Sequence, residues 1–221
     1  MQTRTRTRNR ARTRTAAALL LALVALTGCS AGATAPATAP TPGTPLPARV
    51  SEAAVPAPTK STAPVAPLGR SLPVRVALPS AGVDTGPILS LGLNADGTVE
   101  VPSVADADRV GWYEKGVTPG QTGPAVLIGH FDTARGPAVL RNVSRVRVGD
   151  EITVTRADGK AAVFRVRELE QVDKKTFPTA KVYGDTTRPE LRIITCGGEL
   201  VDGHRPDNII LYADLVATRA A

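Results

Sequence analysis

The chain is poor in the residue types that most often carry chemistry. Its 221 residues include one tryptophan, three tyrosines, three phenylalanines, two histidines and two cysteines. With two cysteines no disulfide framework can be built, and a thiol outside a framework must be read by its surroundings. No acidic residue occurs among the first fifteen, which hold six arginines (Arg4, Arg6, Arg8, Arg10, Arg12 and Arg14). These six account for most of the formal +7 charge; without them 21 basic residues face 20 acidic ones. The near-neutral remainder does not imply a polyanion-binding surface, so nucleic acid is not an implied partner. Asp and Glu do not cluster at ligand spacing, and a site from His130, Cys196 and His204 lacks a tight ligand pair. No metal or cofactor is therefore expected. Internal repeats are absent, which excludes a repeat array.

The longest apolar run, Ala16 to Leu26, is shorter than the roughly 20 residues of a helical membrane span. Basic head and short apolar stretch together form the pattern of an export signal. The stretch ends in Leu26-Thr27-Gly28-Cys29, which resembles the bacterial lipobox, whose cysteine is acylated. Residues 1–29 are thus expected to be an export signal of lipoprotein type with Cys29 as lipid attachment, an uncleaved signal anchor being the alternative. Either places the protein at the outer face of the cytoplasmic membrane, held by its N-terminus. That compartment favours disulfides, yet an acylated Cys29 leaves Cys196 unpaired. Residues 30–70 are rich in Ala, Pro and Thr, with few large apolar residues. They read as a disordered, semi-extended spacer.

Residues 71–217 form the expected folded domain. Strand patterns dominate: Pro73 to Leu78, Ile88 to Leu93, Val99 to Val101, Ala125 to Gly129, Glu151 to Arg156, Ala162 to Leu169, Leu191 to Thr195 and Asn208 to Val216. Asp96-Gly97 and Asp158-Gly159 mark hairpin turns. Helical patterns are short: Ala105 to Arg109, Pro137 to Val143 and Thr179 to Tyr183. About eight short strands with Gly and Pro punctuation argue for a closed barrel or a sandwich, and periodicity alone prefers neither.

Two strand patterns end on reactive side chains. Val126-Leu127-Ile128-Gly129 leads to His130, and Leu191-Arg192-Ile193-Ile194-Thr195 leads to Cys196. A thiol and an imidazole on rigid strand ends are how a cysteine nucleophile and its proton-transfer partner are usually supplied. Each also has a bland reading, as a buried small hydrophobe or a satisfied strand-end histidine. Lys174 and Lys175 read as solvated loop charges.

Several spaced motifs occur in order: Leu127-Ile128-Gly129-His130-Phe131-Asp132, Gly136-Pro137-Ala138-Val139, Val148-Gly149-Asp150-Glu151-Ile152, Phe177-Pro178-Thr179 with Val182-Tyr183-Gly184, Leu191 to Gly198, and Asp207 to Ala213. With them the domain from Leu72 onwards resembles the sortases, most closely the actinobacterial class F, with class E the neighbouring group. The resemblance implies an eight-stranded closed β-barrel with short helices and a cysteine transpeptidase activity. Cys196 would attack the threonine carbonyl of a Leu-Pro-X-Thr-Gly-like sorting signal. His130 would protonate the leaving amine, and Arg205 would stabilise the oxyanion. Thr195, Asp132 and Gly197 would contact substrate, Asp132 alternatively orienting His130. The implied partners are surface proteins bearing sorting signals and a lipid II-like peptidoglycan precursor amine as acceptor. His204 is peripheral in this pattern, and Arg192, Arg135 and Arg188 are rivals of Arg205. Leu200 and Pro206 stand where the family often has aromatic residues, which bears on substrate detail. A lipobox is also a departure, since sortases are usually held by a transmembrane segment. A thiol hydrolase would use the same residues. The L,D-transpeptidases carry a different cysteine motif from Cys196-Gly197-Gly198, and a non-catalytic wall-binding lipoprotein would not need His130, Cys196 and Arg205 together.

Overall fold

The computed structural model describes residues 65–221. The expected export signal, Cys29 and most of the expected spacer lie outside the described residues. Within them no helix is long and apolar enough to cross a membrane.

Eleven strands form: β1 (Pro73–Leu78), β2 (Val83–Thr85), β3 (Leu89–Leu91), β4 (Val110–Tyr113), β5 (Gly123–Gly129), β6 (Asp132–Thr133), β7 (Gly136–Pro137), β8 (Glu151–Arg156), β9 (Lys160–Asp173), β10 (Pro189–Gly197) and β11 (Asp207–Ala220). One α-helix, α1 (Thr179–Tyr183), joins β9 to β10. Nine strands make one curled sheet in the order β2-β1-β8-β9-β11-β10-β5-β4-β3, and β6 and β7 form a separate two-stranded hairpin.

The expected closed eight-stranded barrel is not formed. The sheet is a half-barrel whose edges, β2 and β3, are three residues each and do not pair with each other. The chain passes from one edge to the other through Gly86-Pro87-Ile88. Pro87 has no N–H to donate, and the Ile88 N–H is already given to the Val74 carbonyl at 3.1 Å, so the crossing adds no ladder rungs.

β5 is buried along its whole length, as a strand covered on both faces should be. Its alternation splits the core. Ala125 and Leu127 join Leu78, Ile152, Phe164, Leu191 and Leu211 inside the curl. Val126 and Ile128 face outward and join Ile194, Ile210, Tyr212 and Val182 of α1 in a second cluster. α1 thus covers the outer face of the sheet beside the ends of β5 and β10.

Three expected elements differ. The turn after Leu93 forms, closed by the Asn94 N–H on the Thr98 carbonyl at 2.8 Å. Its arms meet only at Leu93 and Val99, because β3 pairs in parallel with β4 instead. In place of a helix over Ala105 to Arg109, a single 3-10 turn forms at Val104–Asp106. Pro137 to Val143 is not helical. Its apolar spacing serves a segment that crosses the core as irregular chain, where Val139 and Leu140 donate to the carbonyls of Ala107 and His130.

At the N-terminal side, Val65 and Leu68 pack on the core, and the Leu68 N–H donates to the Gly120 carbonyl at 2.8 Å. Buried Arg156 fixes this entry through the carbonyls of Gly69 and Pro119 and the carboxylate of Asp158.

Candidate active site

β5 and β10 are parallel neighbours with Ile128 opposite Ile194. Two residues further along stand His130, just past the end of β5, and Cys196, near the end of β10. Side chains two apart on a strand share a face, so imidazole and thiol emerge side by side on the outer face. They line one cavity of about 800 Å³ with Thr195, Leu93, Val99, Val101, Tyr113, Phe177, Tyr183 and Lys174. Tyr183 packs edge-on against Tyr113 at 6.1 Å and tilted against Phe177 at 6.2 Å. Burial pushes the Tyr183 phenol up from its ordinary value, so this phenol stays neutral.

Cys196 is partly exposed and free. No hydrogen bond joins it to His130 among the described residues. The His130 Nε2 lies 2.6 Å from the Pro102 carbonyl, so that ring nitrogen carries a proton and donates; Nδ1 is the other ring position. Pro102 therefore orients the imidazole. Asp132, expected either to contact substrate or to orient His130, makes no hydrogen bond to His130. It pairs with Arg205, whose Nε and Nη2 lie 3.0 and 2.7 Å from Asp132 Oδ2. The Asp132 hydrogen bonds and charge hold the Arg205 guanidinium above its ordinary range, with a further contribution from the field of Cys196. Nη1 of Arg205 also donates to the Gly198 carbonyl, and the guanidinium stacks 4.5 Å from the Phe131 ring centroid. Arg205 and Asp132 thus line a smaller neighbouring groove of about 310 Å³ and not the cavity of Cys196.

Thr195 is buried, and its Oγ1 has no hydrogen-bond partner. Gly197 is buried against Ile209; a Cβ there would lie 2.7 Å from Ile209 Cγ1, so Gly197 serves packing at the strand end. Of the rival arginines, Arg192 is buried on Glu190 at 2.6 Å, Arg188 pairs with Glu190 and Asp214, and Arg135 lines a separate polar groove. His204 is exposed at the tip of the β10–β11 loop, its backbone paired with Val201.

Lys174 was expected to be a solvated loop charge. It instead places Nζ 3.6 Å from Cys196 Sγ and 2.7 Å from the Arg205 carbonyl. No local pattern signals this, because the contact depends on the β9–β11–β10 strand order. Among the described residues no group of three His, Cys, Asp or Glu side chains could hold a metal ion.

Residues 76–216 match the family model described as "Sortase domain". Similar solved structures include sortase A of Listeria monocytogenes, at 17% identity, covering 69% of this chain and 92% of that one with a TM-score of 0.50. The SrtA sortase of Actinomyces oris is 20% identical, with 73% and 89% covered and a TM-score of 0.50. Sortase A of Corynebacterium diphtheriae is 18% identical, with 67% and 62% covered and a TM-score of 0.50. At such identities these likenesses establish the fold alone. No curated protein matches the sequence.

Proposed function

This chain belongs to the sortase family of cysteine transpeptidases, and we propose that it is a class F enzyme acting on a Leu-Pro-X-Thr-Gly-like sorting signal. The observation that carries this reading is the equivalent placement of His130 and Cys196 beyond paired Ile128 and Ile194 on parallel strands, facing one largely apolar cavity.

The Cys196 thiolate attacks the threonine carbonyl carbon, forming the S–C bond and a tetrahedral oxyanion. Arg205 stabilises that oxygen with a charge that takes no part in proton traffic. As the C–N bond breaks, His130 gives a proton to the departing amine. The resulting thioester is attacked by an acceptor amine, whose proton returns to His130 as the new amide forms and the thiolate is released. Apolar Leu93, Val99, Val101 and the Tyr113–Tyr183 pair suit the leucine and proline of such a signal. The acceptor is a lipid II-like precursor amine. The enzyme is held by its N-terminus, through acylated Cys29, at the outer face of the cytoplasmic membrane.

The test is to incubate the full chain with a fluorogenic Leu-Pro-X-Thr-Gly peptide, with and without an amine nucleophile, beside Cys196→Ala. Cleavage that needs Cys196 and yields an amine-ligated product is expected. Cleavage that persists in Cys196→Ala overturns the mechanism, and a purely hydrolysed product with amine present makes the protein a thiol hydrolase.

A further inference from the structure

Lys174 is held at both ends. It follows Asp173, the last β9 residue, which is paired with Asp207 at the start of β11. The next β11 residue, Asn208, is paired with Cys196. The Lys174 N–H donates to the Pro206 carbonyl at 3.0 Å, and its Nζ donates to the Arg205 carbonyl at 2.7 Å. The following 3-10 turn is capped by the Asp173 side chain, which accepts from the Lys175 N–H at 2.7 Å. An ammonium fixed in this way 3.6 Å from Sγ is not a free surface charge.

Besides the tyrosines, two charged or titratable groups share the cavity of Cys196: Lys174 from the β9–β10 loop and His130 from the end of β5. Arg205, from the β10–β11 loop, lines the adjoining groove. Asp132 lies behind Arg205 and offsets its charge through the ion pair. Asp207, at the start of β11, accepts from Gln171 at 2.6 Å. Among the described residues no carboxylate pairs with Lys174. Its charge is therefore offset by no ion pair, whereas that of Arg205 is paired with Asp132.

We propose that Lys174 is a positioning residue that sets the reactivity of Cys196 by placing its ammonium on the sulfur and, through the Arg205 carbonyl, fixes the arginine-bearing loop against the nucleophile. Nearby cations favour a thiolate over a thiol. This rests on Cys196 being the nucleophile, but its test needs no turnover.

The rate of Cys196 alkylation by iodoacetamide, an uncharged reagent, is measured against pH in the full chain, Lys174→Met and Lys174→Arg. The modified Cys196 peptide is followed by mass spectrometry because Cys29 is also present. In Lys174→Met the profile moves to higher pH, and alkylation at neutral pH slows about five- to tenfold, the factor given by one unit charge at this range in an aqueous dielectric. Lys174→Arg retains most of the wild-type rate. The difference between wild type and Lys174→Met shrinks in high salt, which screens an exposed charge. A Lys174→Met profile superimposed on wild type overturns the proposal, as does a shift that Lys174→Arg shares in full. Lys174→Gln, with circular dichroism as a fold check, replaces Lys174→Met if that variant misfolds. An enzyme that cleaves no sorting peptide but shows the alkylation shift leaves the role of Lys174 standing.

Discussion

The Arg205 guanidinium grips the Asp132 carboxylate with two of its nitrogens, at 3.0 and 2.7 Å from Oδ2. The pair joins the start of β6 to the loop before β11, positions separated by 73 residues. His130 and Arg205 are therefore not independent: the residue two beyond the imidazole sets the aim of the guanidinium. Asp132→Ala should lower kcat/KM about tenfold or more, since small misplacements of a catalytic group are costly. Arg205→Ala should cost about 100- to 1000-fold, as loss of an oxyanion donor does. In the double variant the losses should not add. A cycle on kcat/KM that shows additive losses would place Asp132 outside the aiming of Arg205. Arg205→Lys should recover little, because a point ammonium cannot reproduce the planar fork on Asp132.

Gly198 supplies the second hold on Arg205 through its carbonyl. Its φ is +81°, and an added Cβ would lie 3.0 Å from Asp207 Oδ2 and 3.1 Å from Pro206 Cδ. Gly198→Ala therefore combines a left-handed backbone penalty of about 1–2 kcal/mol with crowding in the loop that carries Arg205. We expect a drop of a few degrees in Tm and a loss of kcat/KM well beyond what that drop explains. Wild-type kcat/KM in a destabilised Gly198→Ala would show that the loop position is not used in turnover.

The contrast between Cys196 and Lys174 shows what the sequence can and cannot carry. The apolar runs before His130 and Cys196 are local, so both strands and their reactive ends are legible, as is the short helix Thr179–Tyr183. Parallel pairing of β5 with β10 is non-local, and only the register of Ile128 with Ile194 turns two strand ends into one site. Lys174 reaches the sulfur from two strands away, so Lys174-Lys175 reads as an ordinary charged turn. The pairing of Asp132 with Arg205 is illegible for the same reason: Arg205 is distant in sequence, whereas His130 is close. The closed barrel implied by resemblance gives way to an open sheet where Pro87 interrupts the edge. The apolar residues Val139, Leu140 and Val143 mimic a helical period although only a 3-10 turn from Val143 forms, since packing on the core selects side chains whatever the backbone between them does.

His130 is oriented by a main-chain oxygen, that of Pro102, so no side-chain substitution removes its partner outright. His130→Ala should lower kcat by orders of magnitude, because a positioned general acid contributes about 100- to 10,000-fold. His204→Ala should leave kcat/KM within a small factor of wild type, as its side chain sits at an exposed loop tip. Equal losses in the two variants, measured with the sorting peptide, would contradict the assignment of the proton donor.

Acid stability depends on Glu190, whose side chain is 4% exposed and bound by Arg192 at 2.6 Å, Arg167 at 2.7 Å and Arg188 at 2.9 Å. Burial pushes this carboxyl up. The hydrogen bond from Arg192 and the charges of Arg192, Arg167 and Arg188 outweigh that, so its net position is below the ordinary glutamate range. A carboxyl held lower in the folded than in the unfolded chain stabilises the fold above its unfolded value, about pH 4.3, and that contribution is lost as pH falls through the folded value. Asp158 beside Arg156 and Glu170 beside Lys181 shift the same way, but they are more exposed and weigh less. Glu190→Gln leaves buried Arg192 without its counter-charge and should cost about 3–5 kcal/mol near pH 7. Urea midpoints taken from about pH 7 down to about pH 3 should show wild type and Glu190→Gln converging in the acid range, where the wild-type carboxylate is also lost. A gap that stays constant across this range would mean that Glu190 stabilises by packing and not by charge.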